Sequence, residues 1–279
     1  MSTRRARPLL GTLFEISVAN DRSSDSFEAA FGAAERVHRL MSAHDPESDV
    51  SKINRAKPGD RVAVDPWTYQ VLASACGFAR STGGLFDPCV APLLQDAAFL
   101  PRFAEPCADG WGDYRHLELL DHCTVRARCP LQITLDGIAK GFAVDKATEA
   151  LRESGAEAGV VNAGGDLRAF GPTPEPVYVR DPAAPGRFFF VGQLCEGALA
   201  TSAPYFSRKE HEGRPASHIF HPKKGSALLR EASASVVARD CMTADALAKA
   251  VLLDARRMEP VLARHHARAI VLGPETECA

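Results

Sequence analysis

The chain has 279 residues, 46% hydrophobic and 24% charged, an ordinary globular composition with length for one large domain or two closely packed ones. Its 33 basic and 35 acidic residues leave a formal net charge of -2, which excludes a protein-wide basic field for nucleic acid. Eight cysteines (Cys76, Cys89, Cys107, Cys123, Cys129, Cys195, Cys241 and Cys278) are scattered without a C-x-x-C pair, so they read as mostly reduced core thiols and not as a zinc site or disulfide framework.

The start, MSTRRARPLLGTLFEISVAN, carries arginines but no apolar h-region and no small-residue cleavage site. As it stands the chain reads as cytoplasmic, or periplasmic where a leader has been removed. No stretch reaches membrane-spanning length. Residues 9–18 read as a first strand, and Phe27, Phe31, Ala34, Leu40 and Met41 space out a helix over about 24–43. HDPESDVSKIN is a loop and short helix, and RVAVD a strand. Pro66 opens a helix with Trp67, Val71, Leu72, Ala75 and Phe78 inward, stopped by STGG. After LFDPCVAPLL comes a stretch to about residue 113 without periodicity, read as an insertion loop. Short strands are expected at 124–126 and 131–135, then a helix to about 154. Segments at 160–161, 167–170, 177–180, 188–191 and 199–201 alternate with turn signals as antiparallel strands, with another at 233–238. Thr243 is the expected N-cap of a ten-residue helix, followed by a short helix and a last strand, RAIVLG. This mixed order predicts an α+β fold of largely antiparallel sheets with packed helices, over a single unit from 1 to 279.

Five stretches carry candidate chemistry. ITLDGIAKGFAVD (133–145) runs from strand into helix through Gly137, with Lys140 one turn in. Such a start can hold an anion on free N–H groups, although glycine turns before helices are common. VVNAGGDLRAFG (160–171) puts Asn162 and Asp166 around two glycines, as any hairpin turn might. TGGLFDPCVAPLL (82–94) offers Phe86 for stacking on a flat ring and Asp87 for hydrogen bonding; equally, Phe86 is core and Asp87 a turn residue. SHIFHPKKG places His218 and His221 near two lysines, in a His-x-x-His that either binds metal or satisfies itself in a turn. In CMTADALAKAVLL, Asp245 is a carboxylate for a hard cation such as Mg²⁺, or the partner of Lys249 four residues on.

In order, LLGTLFEISV, MSAHDPESDVSKIN, TGGLFDPCVAPLL, LDGIAKGFAVD, VNAGGDLRAFG, SHIFHP and ADALAKAV resemble the ApbE-type FAD:protein FMN transferases from about residue 8 to 271. The resemblance implies an α+β fold with FAD in a cleft between two halves. It also implies Mg²⁺-assisted transfer of FMN to a Thr or Ser hydroxyl of an acceptor flavoprotein, with release of AMP. Cleft-lining positions fall on Leu10, His44, Leu85, Phe86, Asp87, Thr134 and Lys140. Metal ligands fall on the backbone of Gly137 and the side chain of Asp245. Asp245 and His218 are the candidates for the proton or for orienting the reacting groups.

The chain departs from the family pattern at several points. Thr134 stands where an acid is usual, with Asp136 two residues on, and Lys249 stands where Thr or Ser is usual. An ammonium in that place repels a divalent cation and can stand in for it. Two other activities fit the same residues: an FAD pyrophosphatase giving FMN and AMP, and a flavin-binding or carrier protein in which Lys249 pairs with Asp245 and no metal binds.

Overall fold

The computed structural model describes residues 2–19, 24–103, 107 and 110–273. The chain opens with an antiparallel hairpin, β1 (Ser2–Leu9) and β2 (Thr12–Ala19), where the sequence predicts one strand. Leu10 (φ 54) and Gly11 (φ 70) form its turn; left-handed angles at both positions suit the twist of the flanking strands. β1 lacks apolar alternation because arginines take its inward places. The Arg5 guanidinium lies 4.7 Å from the Phe27 ring and that of Arg7 4.4 Å from Phe31, both on α1 (Ser24–Met41). Arg7 also pairs with Glu28 and Glu35 of that helix.

α2 (Asp49–Arg55), β3 (Arg61–Ala63) and α3 (Pro66–Ser81) follow. α3 begins where predicted because Asp65 accepts the Trp67 N–H at 2.9 Å and Pro66 occupies a position whose N–H has no helical partner. Then come α4 (Ala91–Asp96), β4 (Leu117–Leu120), absent from the sequence reading, and β5 (Thr124–Ala127). A small antiparallel sheet has the order β3-β5-β4. The insertion-loop stretch after α4 falls partly outside the described residues.

Residues 131–135 alternate like a strand but form no ladder. They are held from the side. The Asn54 amide donates to the Ile133 carbonyl at 2.9 Å and accepts the Ile133 N–H at 2.7 Å, while the Thr134 N–H donates to the Pro88 carbonyl at 2.8 Å. Asn54→Ala strands two buried backbone groups, so a loss of roughly 2–4 kcal/mol is expected, read as a lower urea midpoint at unchanged m-value.

The remainder builds α5 (Ala139–Glu153), β6 (Gly159–Ala163), β7 (Asp166–Phe170), β8 (Glu175–Arg180), β9 (Phe188–Leu194), β10 (Gly197–Ser202), the short β11 (Lys209–His211), β12 (Arg214–Ala216), β13 (Phe220–His221) and β14 (Ser226–Ala227), then β15 (Ser233–Ala238), α6 (Cys241–Leu253), α7 (Ala255–Arg264) and β16 (Arg268–Leu272). A seven-stranded sheet runs β1-β2-β6-β7-β10-β15-β16 with every neighbouring pair antiparallel. α5 and α6 pack on one face and α1 packs on α5. The β8–β9 hairpin covers part of the other face, setting Val177 and Val179 against Leu199, Leu167 and Val237. Strand β10 is therefore buried on both sides, which explains its near-continuous burial. This is the α+β architecture the sequence predicts.

Seven cysteines are free thiols among the described residues. Cys76, Cys89 and Cys241 are in the core as expected, but Cys107, Cys123 and Cys129 are half-buried and Cys195 is exposed, because they lie in loops and turns; Cys278 lies outside the described residues. Among the described residues no helix is long and apolar enough to cross a membrane.

Candidate active site

The site is built where α5 crosses α6. Gly141, in the first turn of α5, permits the crossing: a Cβ there would lie 2.3 Å from the Cys241 carbonyl oxygen. Each helix then caps the other. Asp145 of α5 accepts the Cys241 and Met242 N–H groups, each at 2.9 Å, and Asp245 of α6 accepts the Gly141 N–H at 3.1 Å. Asp145 also pairs with Arg168 at 2.7 Å. The N-cap of α6 is Asp240, whose carboxylate accepts the Thr243 N–H at 2.7 Å. Thr243 is thus not the cap, and Asp245 sits in the second turn of the helix, not the first.

Two lysines and two carboxylates meet beside this crossing. Lys140 pairs with Asp166, which the β6–β7 turn delivers: Gly164 (φ 63) and Gly165 (φ 105) adopt left-handed angles, and Asn162 accepts the Gly165 N–H at 2.8 Å. The glycine pair is therefore a hairpin turn that also positions a site carboxylate. Lys249 pairs with Asp245 at 2.5 Å, the i,i+4 contact its spacing allows. Burial works against the charge on Lys140, but Asp166 and Asp245 outweigh it and raise its pKa. Burial works against ionised Asp245 as well, and Lys140 and Lys249 overcome it, holding its carboxyl below the usual range.

A lobed cleft opens over these groups. Its first lobe is apolar, walled by Leu85, Phe86, Thr134 and Gly137, with His218 and Lys249 at its edge. Phe86 is 5% exposed and meets Phe78 edge-on at 6.3 Å, so it is both core and wall. The second lobe has Leu10, Met41, His44 and Lys140, and Asp136 walls both lobes. A third lobe, with Tyr114, Arg115 and Arg257, shares Asp87 and Pro222 with the first. Burial raises the Asp87 carboxyl to about 6. The seven cleft positions expected from the sequence thus divide between two adjoining lobes.

His218 is held by Ser207, a partner the sequence reading misses. Ser207 Oγ donates to the Pro204 carbonyl at 3.2 Å and accepts the His218 N–H at 3.1 Å. The ring Nδ1 also meets Ser207 Oγ, which ties the imidazole to this hydroxyl. The imidazole pKa is pushed down to about 4, first by desolvation within the cleft wall and then by the ammonium groups of Lys249 and Lys140. Although the residue keeps solvent access, the two nearby cations act in the same direction as the crowding. The His218 ring C–H signal in proton NMR is therefore expected to keep its neutral position at pH 5.5, where an ordinary histidine is mostly charged. Lys249→Thr removes one cation and shifts that titration to higher pH. His221 belongs to β13 and does not wall the cleft, so the His-x-x-His pair is not brought together on it.

The expected Mg²⁺ ligands do not fit a divalent cation. Asp245 is 1% exposed, walls none of the cleft lobes just described, and has one oxygen on Lys249 and the other on the Gly141 N–H. The Lys249 stem crowds Gly137, with its Cδ 3.2 Å from where a Cβ would stand. Among the described residues no group of three or more His, Cys, Asp or Glu side chains could hold a metal ion. Lys249 takes the position that the resemblance gives to a metal, and it supplies charge where a ligand oxygen is needed.

Fold and cleft together define an α+β protein whose adjoining cleft lobes meet at two lysine–aspartate pairs with buried carboxylates. The chain belongs to the ApbE family, whose model matches residues 10–271. It is similar to the FAD:protein FMN transferase of Vibrio cholerae, 28% identical over 236 residues (78% of this chain and 70% of that protein). The FAD:protein FMN transferase of Treponema pallidum is 27% identical over 279 residues (88% and 77%). Among solved structures, the ApbE protein of Thermotoga maritima superposes with a TM-score of 0.84 at 28% identity, covering 97% of this chain and 94% of that one. The flavinyl transferase ApbE of Pseudomonas stutzeri gives 0.83 at 20% identity, covering 99% and 92%, a likeness of fold alone.

Proposed function

We propose that this protein transfers the FMN part of FAD to a Thr or Ser hydroxyl of an acceptor flavoprotein, releasing AMP. One observation carries the reading: two ammonium groups, Lys140 and Lys249, meet at the junction of adjoining cleft lobes. A dinucleotide with a flat ring at each end and a pyrophosphate in the middle has that distribution of apolar surface and charge. The relatives named FAD:protein FMN transferase support the same assignment.

In this reading Leu85, Phe86 and Thr134 pack one ring end, and Leu10 and His44 flank the other. Lys140 and Lys249 neutralise the pyrophosphate, where charge grows as the bridging bond breaks. The acceptor hydroxyl oxygen forms a bond to the FMN phosphorus. The bond from that phosphorus to the bridging oxygen breaks, and AMP leaves with the electron pair. His218, neutral in the cleft wall, takes the hydroxyl proton and passes it to solvent. Asp245 is not placed for that role: it is buried under two ammonium groups and its carboxyl is held well ionised, so it orients Lys249 and the start of α5. No step is assigned to Mg²⁺, since Gly137 and Asp245 do not fit it here.

The test uses an acceptor domain that the Vibrio cholerae relative modifies. AMP released from FAD only when that domain is present supports transfer. AMP and free FMN without it would make the protein a pyrophosphatase, and tight FAD that is never turned over would make it a carrier.

A further inference from the structure

We infer that the Lys249 ammonium takes the place of a divalent cation in this chain, so that FMN transfer here runs without a divalent metal. The inference rests on the transferase reading above and deepens it. Three independent features support it. Lys249 Nζ lies 2.5 Å from Asp245 Oδ1 and 3.4 Å from the Asp245 carbonyl, so that carboxylate oxygen already has its cation. The Lys249 stem fills the space beside Gly137, the other expected ligand. Lys249 also walls the first lobe together with Asp136, Gly137 and His218, and its side chain stays 20% exposed while paired with Asp245.

The charge balance is consistent. Lys140 and Lys249 pair with Asp166 and Asp245, so the cluster is neutral before substrate arrives. A divalent ion added beside the Lys249 ammonium would meet like charge at short range, with Asp136 as a nearby carboxylate outside any ion pair among the described residues, a single side chain where a divalent cation takes several oxygen ligands. An FAD pyrophosphate meets two ammonium groups that hold their positions through buried carboxylates, the preorganised charge that phosphoryl transfer needs. The chemistry is unchanged: the hydroxyl oxygen–phosphorus bond forms, the bridging phosphorus–oxygen bond breaks, AMP takes the electron pair, and no oxidation occurs. A metal is one way to supply positive charge there, and a fixed ammonium is another.

Two measurements test this. In the first, Mn²⁺ is titrated into FAD-saturated wild type and Lys249→Thr, and free Mn²⁺ is read by paramagnetic resonance. Wild type is expected to leave the signal as FAD alone leaves it, and the threonine variant to take up one ion per chain. Uptake of one Mn²⁺ per chain by wild type overturns the inference whatever the transfer assay gives. In the second, flavin transfer to the acceptor domain is timed in Mg²⁺ and in EDTA. The wild-type rates are expected to agree within about twofold, while Lys249→Thr needs Mg²⁺ by roughly 100-fold. A wild type that slows more than about tenfold in EDTA refutes metal independence and leaves the transferase reading standing. No transfer under any condition removes the transferase reading, and this inference with it. If Lys249→Thr does not fold, the wild-type arms alone decide.

Discussion

Lys140→Met is expected to lower kcat/KM for AMP release by roughly 100- to 1000-fold, with a stability loss of about 3 kcal/mol. The two effects have separate causes. Lys140 walls the cleft, so methionine removes positive charge from the reaction. It also leaves the Asp166 carboxylate, 3% exposed, without its cation. Breaking a buried pair strands a charge, whereas replacing both partners by neutral groups strands none. The double variant Lys140→Met with Asp166→Asn should therefore recover most of the stability, read by urea denaturation, and none of the activity. Recovery of turnover in the double variant would mean that Lys140 serves Asp166 and not the substrate.

Gly141→Ala should be strongly damaging for the addition of a single methyl group. The new Cβ would stand 2.3 Å from the Cys241 oxygen and 2.8 Å from the Met242 Cα, atoms of backbone that cannot rotate away. α5 and α6 must separate, and the Asp145 and Asp245 caps between them lengthen together. We expect a loss of about 3 kcal/mol or more, seen as a fall in Tm of roughly 6–10 °C. Because the same crossing sets Lys140 against Asp245, activity in the folded fraction should fall as well. Gly155→Ala is the contrast: nothing stands within 4 Å of its added Cβ, and its cost is the strain of φ 89 alone.

How much of this was legible depended on the range of the forces involved. Helices α1 and α3 follow local rules, periodic apolar residues and, for α3, Asp65 before Pro66, and both lie close to where the sequence puts them. Strand β1 was hidden because its inward residues include arginines, whose guanidinium groups lie over Phe27 and Phe31 where aliphatic side chains would be expected. Residues 131–135 had the strand pattern without a strand partner; their partner is an asparagine side chain 79 positions away in sequence. The start of α6 was misplaced because Asp240 and Thr243 are both good caps, and only the bonds from Cys241 and Met242 to Asp145 decide between them.

The site divides in the same way. Its motifs announce Lys140, Asp166, His218 and Asp245 by local glycine, turn and helix signals. They do not announce Ser207, which holds the His218 ring, nor Asp145, which caps a helix 96 positions further on. The Asp245–Lys249 pair was visible as i,i+4 spacing, but the exclusion of Asp245 from the cleft surface was not, since that depends on how deeply α6 is buried against α5 and the sheet.

The most direct test of the central claim is the mass of an acceptor domain after incubation with this protein and FAD, measured on the denatured, desalted acceptor. The account predicts one FMN in phosphoester linkage on a Thr or Ser, with one AMP released for each acceptor modified. An acceptor of unchanged mass, with the flavin lost on denaturation and no AMP formed under conditions in which the Vibrio cholerae relative modifies it, would contradict it.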